Sequence, residues 1–292
     1  MKDSKKKMNL ASLDSIFTTQ EERDEAKKEH VINLPIEQIQ DFPEHPFKVL
    51  DNAEMDDLVK SISVKGVILP TIVRQRKDGS YEMISGHRRK HAALRAGLTE
   101  IPCIIKDLTD DEATILMVDS NIQREEILPS EKAFAYRMKL EAMKHQGKNL
   151  TSDPMEQKQT SREVLAEKVG ESASNIQRFI RLTYLIPELL ELVDEKRIAL
   201  RPAVELSYIS EDNQEILYDI FKYDEATPTL SQAQILRKLD EKGELTEDKL
   251  EDIMRAEKPN QKGNLKLRTT ILDSIFLKTI QMSKLTTRLW NY

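Results

Sequence analysis

Two β-rich runs, TIVRQR and YEMIS, close around the turn Lys77-Asp78-Gly79-Ser80, and past residue 160 the chain shows only helical patterning. β-branched and aromatic residues flanking a short glycine-containing turn predict a hairpin. Strands are thereby confined to the first half, and the chain must combine an α/β unit with an all-helical one. Val31 to Leu34 predicts a further strand, as does Ile101 to Lys106. Asp51 and Glu54 predict a capping pair for a helix carrying Met55, Leu58, Val59 and Ile62 and ending at Gly66. His87 to Ala96 predicts a helix closed by Gly97, and Thr109 with Glu112 predicts a capping box for a helix through about Gln123. A further helix is expected from about Ser130 to Gln146, stopping at Gly147.

The expected organisation is a mobile polar tail over 1–29, an α/β domain over 30–147, a linker over 148–160 and a helical domain over 161–257. Residues 258–292 are patchily amphipathic and carry no assigned fold. Pro187, Pro202 and Pro228 stand where new helices can begin. The 292-residue chain is 39% hydrophobic and 33% charged, which fits a soluble, mostly helical protein. No apolar run approaches the roughly 20 residues of a membrane span, and MKDSKKKMNLASLDSIF has no apolar core of a secretion signal. The single cysteine, Cys103, permits no internal disulfide; it fits a reducing cytoplasm and a core strand. Net charge is −6, yet Arg74 to Arg95 holds seven Lys/Arg against two acids. A basic face on an acidic chain suits one polyanion bound at one place.

The first functional constellation is YEMISGHRRKHAALRAG. A strand ends at Ser85, Gly86 makes the turn, and a helix opens with His87, Arg88 and Arg89. Free amides at a helix start and its dipole favour an anion, and two guanidiniums add charge-assisted contacts to phosphate. The bland reading is a solvated basic helix start. NIQREE supplies Asn121 and Arg124, a metal ligand and a phosphate contact, or equally a solvated helix end.

The second constellation is SREVLAEKVGESASNIQRFIRLTYL, at 161–185. Ala166 and Gly170 sit four apart between Leu165 and Val169, with Ile176 and Phe179 on a second helix, which are the offsets of a helix-turn-helix. The second helix is expected to expose Ser172, Ser174, Asn175, Gln177, Arg178 and Arg181, side chains that read base edges and phosphates. An ordinary helical pair with a polar face explains the pattern less well.

GVILPTIV, SGHRR and NIQREEILPSEKAFAY, in that order before the helix-turn-helix, resemble ParB/RepB-type partition proteins over residues 31 to about 210. The resemblance implies an α/β ParB-like domain followed by an all-α helix-turn-helix domain, mostly helical as a whole. It implies CTP and Mg2+ as ligands, with Gly66, Ile68 and Pro70 at the base pocket. Gly86, His87, Arg88 and Arg89 would lie at the phosphates, Asn121 at the metal and Arg124 nearby. It further implies a homodimer on a palindromic centromere-like site in double-stranded DNA, CTP-driven clamp closure and a ParA-type ATPase partner. No membrane partner is expected; the place of action would be the cytoplasmic nucleoid. Ser120 stands where the family commonly carries Glu, so slow CTP hydrolysis is the expectation. Phe47 and Lys48 follow Pro46 where the family often has Arg. Two other readings stay open: a nucleotide-independent regulator of copy control or nucleoid occlusion, and a small-molecule kinase on the same domain type.

Overall fold

The structure, a computed structural model, describes residues 30–124, 127–149, 160–224 and 227–255. The expected tail (1–29), nearly all of the linker and the C-terminal segment lie outside the described residues. The chain divides into two compact units, Met1–Glu125 with Met138–Ser161, and Glu126–Arg137 with Arg162–Tyr292. Each is taken by itself.

The first unit holds β1 (Val31–Pro35), a 3-10 turn, β2 (Ile39–Gln40), α1 (Ala53–Lys65), β3 (Thr71–Gln75) and β4 (Tyr81–Ser85). Then come α2 (His87–Arg95), β5 (Glu100–Ile105), α3 (Asp110–Asn121) and the second half of α4 (Pro129–Asn149). The strands form one sheet in the order β1-β5-β3-β4-β2. The hairpin pairing β3·β4 and the pairing β1·β5 are antiparallel, while β3·β5 and β2·β4 are parallel. The parallel pairs follow from long connections: α1 and β3 lie between β2 and β4, and β4 and α2 lie between β3 and β5. β2, only two residues long, carries no sequence signal, because two residues cannot show a period.

Period-2 alternation divides β4 between two layers. Met83 joins Val73, Ile101 and Cys103 in a core with Met55, Ile62, Ala92 and Ala93 from α1 and α2. Burial pushes the Cys103 thiol up, which fits its place in that core. Glu82, one residue away, belongs to the opposite side, where α3 packs on β4. There its carboxylate is fully buried and accepts from Arg74 Nε and Arg76 Nη1, both at 2.5 Å. Arg74 also meets Asp110, in the first turn of α3, at 2.7 Å. Paired on both oxygens, the buried carboxylate joins helix to sheet instead of standing as an uncompensated charge.

Helix starts show where sequence reading succeeds and fails. The Thr109–Glu112 capping box is present, with Glu112 N donating to Thr109 Oγ1 at 3.3 Å and Thr109 N to Glu112 Oε2 at 2.9 Å. The expected Asp51–Glu54 pair is corrected: Asn52 caps α1, its Oδ1 accepting from Met55 N at 3.0 Å. With the cap filled, Asp51 turns to His91 and Arg95, each at 2.9 Å, and Glu54 turns to Arg88 at 3.1 Å.

The second unit is helical: the first half of α4, α5 (Ser161–Val169), α6 (Ala173–Leu182), α7 (Pro187–Asp194), α8 (Leu200–Leu206), α9 (Glu211–Asp224), α10 (Leu230–Glu241) and α11 (Glu247–Arg255). Pro187 opens α7 as expected, whereas Pro202 is the third residue of α8 and Pro228 precedes the Thr229 cap of α10. Among the described residues no helix is long and apolar enough to cross a membrane.

Candidate functional site

The first site grows from the junction of β4 and α2. Gly86 caps the helix at φ 117°, a left-handed conformation that L-residues rarely adopt. A Cβ there would lie 2.5 Å from Thr71 Cγ2 on the neighbouring strand. Glycine is thus required by the close approach of β3, not only by room for a ligand. The first helical bond runs from Lys90 N to Gly86 O at 2.9 Å, which leaves the amides of residues 87–89 without acceptors inside the helix.

The basic side chains of this turn each fasten a different segment. Arg88 holds Glu54 of α1 at 3.1 Å. Arg89 Nη1 donates to the carbonyls of Leu69 and Pro70, both at 2.7 Å. Lys90 Nζ donates to Ile39 O at 2.7 Å and Asp41 Oδ1 at 2.8 Å. The structure therefore joins two groups expected at one site, Gly86–Arg89 and Gly66–Pro70, with Arg89 as the link. Gly66 ends α1 at φ 68°, and Ile68 beyond it is 71% exposed, an apolar lip beside the basic turn.

His87 is only 7% exposed, and its Nε2 is buried without a hydrogen-bond partner. Burial, aided by nearby His45, Lys90 and Arg124, pulls its pKa down to about 3. Arg124 also lies over the Phe47 ring, 5.6 Å from its centroid. His87 and Arg124, far apart in sequence, thus share one neighbourhood. Asn121 is buried, its Nδ2 donating to Met117 O at 2.8 Å and Ser120 Oγ at 3.2 Å, which leaves Oδ1 as the amide atom suited to a cation. Ser120 Oγ donates back to Met117 O at 2.9 Å. Asp119 is engaged by the buried Lys139, and Glu125 lies outside the described residues. Among the described residues no cluster of three or more His, Cys, Asp or Glu is placed to hold a metal ion. A cation here would draw most of its ligands from phosphate and water, the habit of magnesium. Sequence reading passed over His45, a loop residue in no periodic pattern, and met Phe47 only as a departure from the family's pattern.

The second site is the helix-turn-helix. Leu165, Ala166, Ile176 and Phe179 are buried as expected. Gly170 takes φ 70° in the turn, and Ser172 caps α6, its Oγ accepting from Asn175 N at 3.1 Å. Ser174, Gln177 and Arg178 are exposed. The expectation that Asn175 and Arg181 face outward is corrected. Asn175 Nδ2 donates to Glu171 Oε2 at 2.7 Å. Arg181 donates to Ser207 Oγ at 3.1 Å and Ser207 O at 2.6 Å, and lies over the rings of Tyr184 and Tyr208 at 4.3 and 3.8 Å. The helical period alone could not place them, because both sit at the margin of the buried stripe. Glu171 in the turn also accepts from Lys132 at 3.1 Å and Tyr136 Oη at 3.0 Å, anchoring the turn to α4.

The chain is similar to known proteins along both units. A family model described as "ParB N-terminal domain" matches residues 20–122, and one described as "ParB HTH domain" matches residues 151–227. The "Chromosome-partitioning protein Spo0J" of Thermus thermophilus is 34% identical over 207 residues, 71% of this chain and 70% of that protein. A "Nucleoid occlusion protein" of Bacillus cereus is 32% identical over 249 residues, 84% of this chain and 75% of that protein. Among solved structures, the C-terminally truncated ParB of Caulobacter crescentus complexed to the centromeric parS site aligns at 21% identity over 77% of this chain and 100% of that chain, with a TM-score of 0.42.

The Gly86 geometry predicts an unequal pair of substitutions. Gly86→Ala meets both the left-handed backbone and Thr71, and should lower stability by about 3 kcal/mol. Gly79→Ala, at φ 85° with open space around its Cβ, should lose only about 1–2 kcal/mol. Urea midpoints measure both; equal shifts would show that β3 yields and that Thr71 does not enforce the glycine.

Proposed function

The chain belongs to the ParB family, and we propose that it is a sequence-specific DNA-binding partition protein whose first unit binds CTP as a clamp-closing switch. The observation that carries the DNA half is the pairing of a glycine turn and Ser172 cap with exposed Ser174, Gln177 and Arg178 on α6. Such a helix presents its first turns to a major groove. A homodimer on a palindromic centromere-like site, a nucleoid setting in the cytoplasm and a ParA-type ATPase partner belong to the same proposal and rest on family membership.

Support for the nucleotide half comes from the first turn of α2. Free amides, Arg88 and Arg89 form the donor set a triphosphate needs, and the unpartnered Nε2 of His87 lies buried beside them. Arg124 stands beside His87, Asn121 offers Oδ1 to Mg2+, and Gly66, Ile68 and Pro70 border the base. Bound CTP with Mg2+ would place negative charge against this turn. Arg88 and Arg89 would then exchange Glu54 and the carbonyls of Leu69 and Pro70 for phosphate oxygens. Releasing those carbonyls frees the 66–70 loop, so the Arg89 guanidinium that senses the ligand also moves the lip. Arg181 keeps a structural role in this reading, and Asn175 positions the turn through Glu171.

A nucleotide-independent DNA-binding regulator is the second reading, favoured by the likeness to a nucleoid occlusion protein. CTP titration with and without cognate DNA separates them: no binding in either condition supports the regulator.

Three outcomes are expected. Arg178→Ala or Gln177→Ala should weaken cognate DNA binding by about 1–3 kcal/mol for a lost base contact. An equal loss on random DNA would mark a phosphate contact, and no loss for either would remove α6 from the groove. The Arg88→Ala/Arg89→Ala double variant should keep its circular dichroism spectrum and lose CTP binding; unchanged affinity in calorimetry would refute the site. Hydrolysis should be slow, because Ser120 is turned back on Met117 and Asp119 is held by Lys139, so that neither is set to orient water. Phosphate release on cognate DNA should rise in Ser120→Glu, and brisk release by the natural chain would show that another residue positions the water.

A further inference from the structure

The loop between β2 and α1 lays one imidazole on another. His45 stacks on His87 with ring centroids 3.8 Å apart and planes inclined at 37°. Glu44, just before it, holds φ 52°, a left-handed conformation that turns the loop back over α2. His45 Nδ1 lies 2.8 Å from Phe47 O. A carbonyl only accepts, so Nδ1 carries the hydrogen and the neutral ring leaves a bare lone pair at Nε2. The Nε2 atoms of both His45 and His87 are buried, and neither has a hydrogen-bond partner. Two orphaned buried nitrogens at one helix N-terminus are unusual, since buried polar atoms are nearly always satisfied.

The charges facing the pair are mixed. Arg124 acts on both rings, Lys90 acts on His87, and Asp41, itself paired with Lys90, acts on both with the opposite sign. Burial and the cations prevail. His45 is held below the ordinary histidine range and His87 lies at about 3, so the free pair is neutral at physiological pH.

We propose that polyphosphate binding at the first turn of α2 is coupled to uptake of a proton by the His45–His87 pair, so that nucleotide affinity rises with acidity. The inference rests on the nucleotide site proposed above and adds its regulation. Negative charge placed at this turn offsets Arg124 and Lys90 and, against the burial that keeps the rings neutral, favours the imidazolium. The proton goes to an Nε2 that lacks a partner, converting a bare acceptor into a donor beside an anion. The two nitrogens left orphaned in the free protein are thus the ones the bound state can use. Between the low pKa of the free pair and the raised pKa of the bound pair, binding takes up a proton, and affinity falls as pH rises. A full proton corresponds to about a tenfold change in Kd per pH unit.

The test is calorimetric titration of Mg·CTP into the full chain between about pH 6 and pH 8, the window in which a histidine pair reports. Two buffers of different ionisation heat give the protons taken up, for the natural chain and for His45→Gln. Titration of CTP itself contributes equally to both proteins, so their difference reads the histidine pair. The natural chain should take up more protons than the variant and tighten several-fold more on acidification. Equal uptake in the two proteins overturns the inference while leaving the nucleotide site standing. Proton release specific to the natural chain also overturns it, since the pair would then lose charge on binding where the inference has it gain charge. No binding by the natural chain at any pH removes the nucleotide site and the inference together. Imidazole 15N spectra of the natural chain, free and CTP-saturated, give the same answer should His45→Gln not fold. Protonation of the pair on binding supports the inference, and rings neutral in both states refute it.

Discussion

The first unit is fastened at one helical turn, and the left-handed Gly86 sets that turn against β3. From it Arg88 reaches α1, Arg89 reaches the loop before β3, Lys90 reaches β2 and the loop after it, and His87 carries His45. Four consecutive side chains therefore hold four segments: two loops, a two-residue strand and an exposed helix start. Exposed ion pairs such as Arg88–Glu54 contribute little to stability singly. Their value here is positional, and a turn held by replaceable polar contacts is one that an incoming anion can rearrange.

The second unit solves a different problem with similar means. A helix-turn-helix has a small core, and its turn must be rigid for α6 to be presented reproducibly. Glu171 supplies that rigidity by binding Lys132 and Tyr136 on α4 and Asn175 on α6. Burial and the Glu171 carboxylate push the Tyr136 phenol well up, so it stays a donor to that carboxylate at any physiological pH. At the far end of α6, Arg181 lies over Tyr184 and Tyr208, and Arg237 continues the stack over Tyr208 at 3.7 Å. These arginines brace the helices behind α6. A basic residue on a recognition helix is thus not by that fact a DNA contact.

In sequence the basic run after the hairpin reads as a phosphate cradle; in the structure Arg88, Arg89 and Lys90 each have a protein partner. Both roles are compatible when the partners are backbone carbonyls or an exposed carboxylate, which a phosphate can outbid. The buried Arg74–Glu82–Arg76 cluster is the contrasting case, closed on both oxygens and committed to joining α3 to the sheet.

The sequence by itself determined whatever is local and periodic. The hairpin, the α1 stripe, the α2 helix closed by Gly97, the Thr109 capping box, the Gly170 turn and the buried Ile176 and Phe179 each follow from neighbours within one or two turns of chain. Tertiary structure decided whatever depends on which polar group gets a partner. Asp51 and Asn52 are both competent caps, and the choice of Asn52 is completed by His91 and Arg95 claiming Asp51 from 40 and 44 residues away. Asn175 and Arg181 could face water until Glu171 and Ser207 are placed beside them. His45 acquires meaning only when the chain folds back to stack it on His87, because a side chain's protonation and partners are set by what surrounds it in space, and sequence distance carries no record of that.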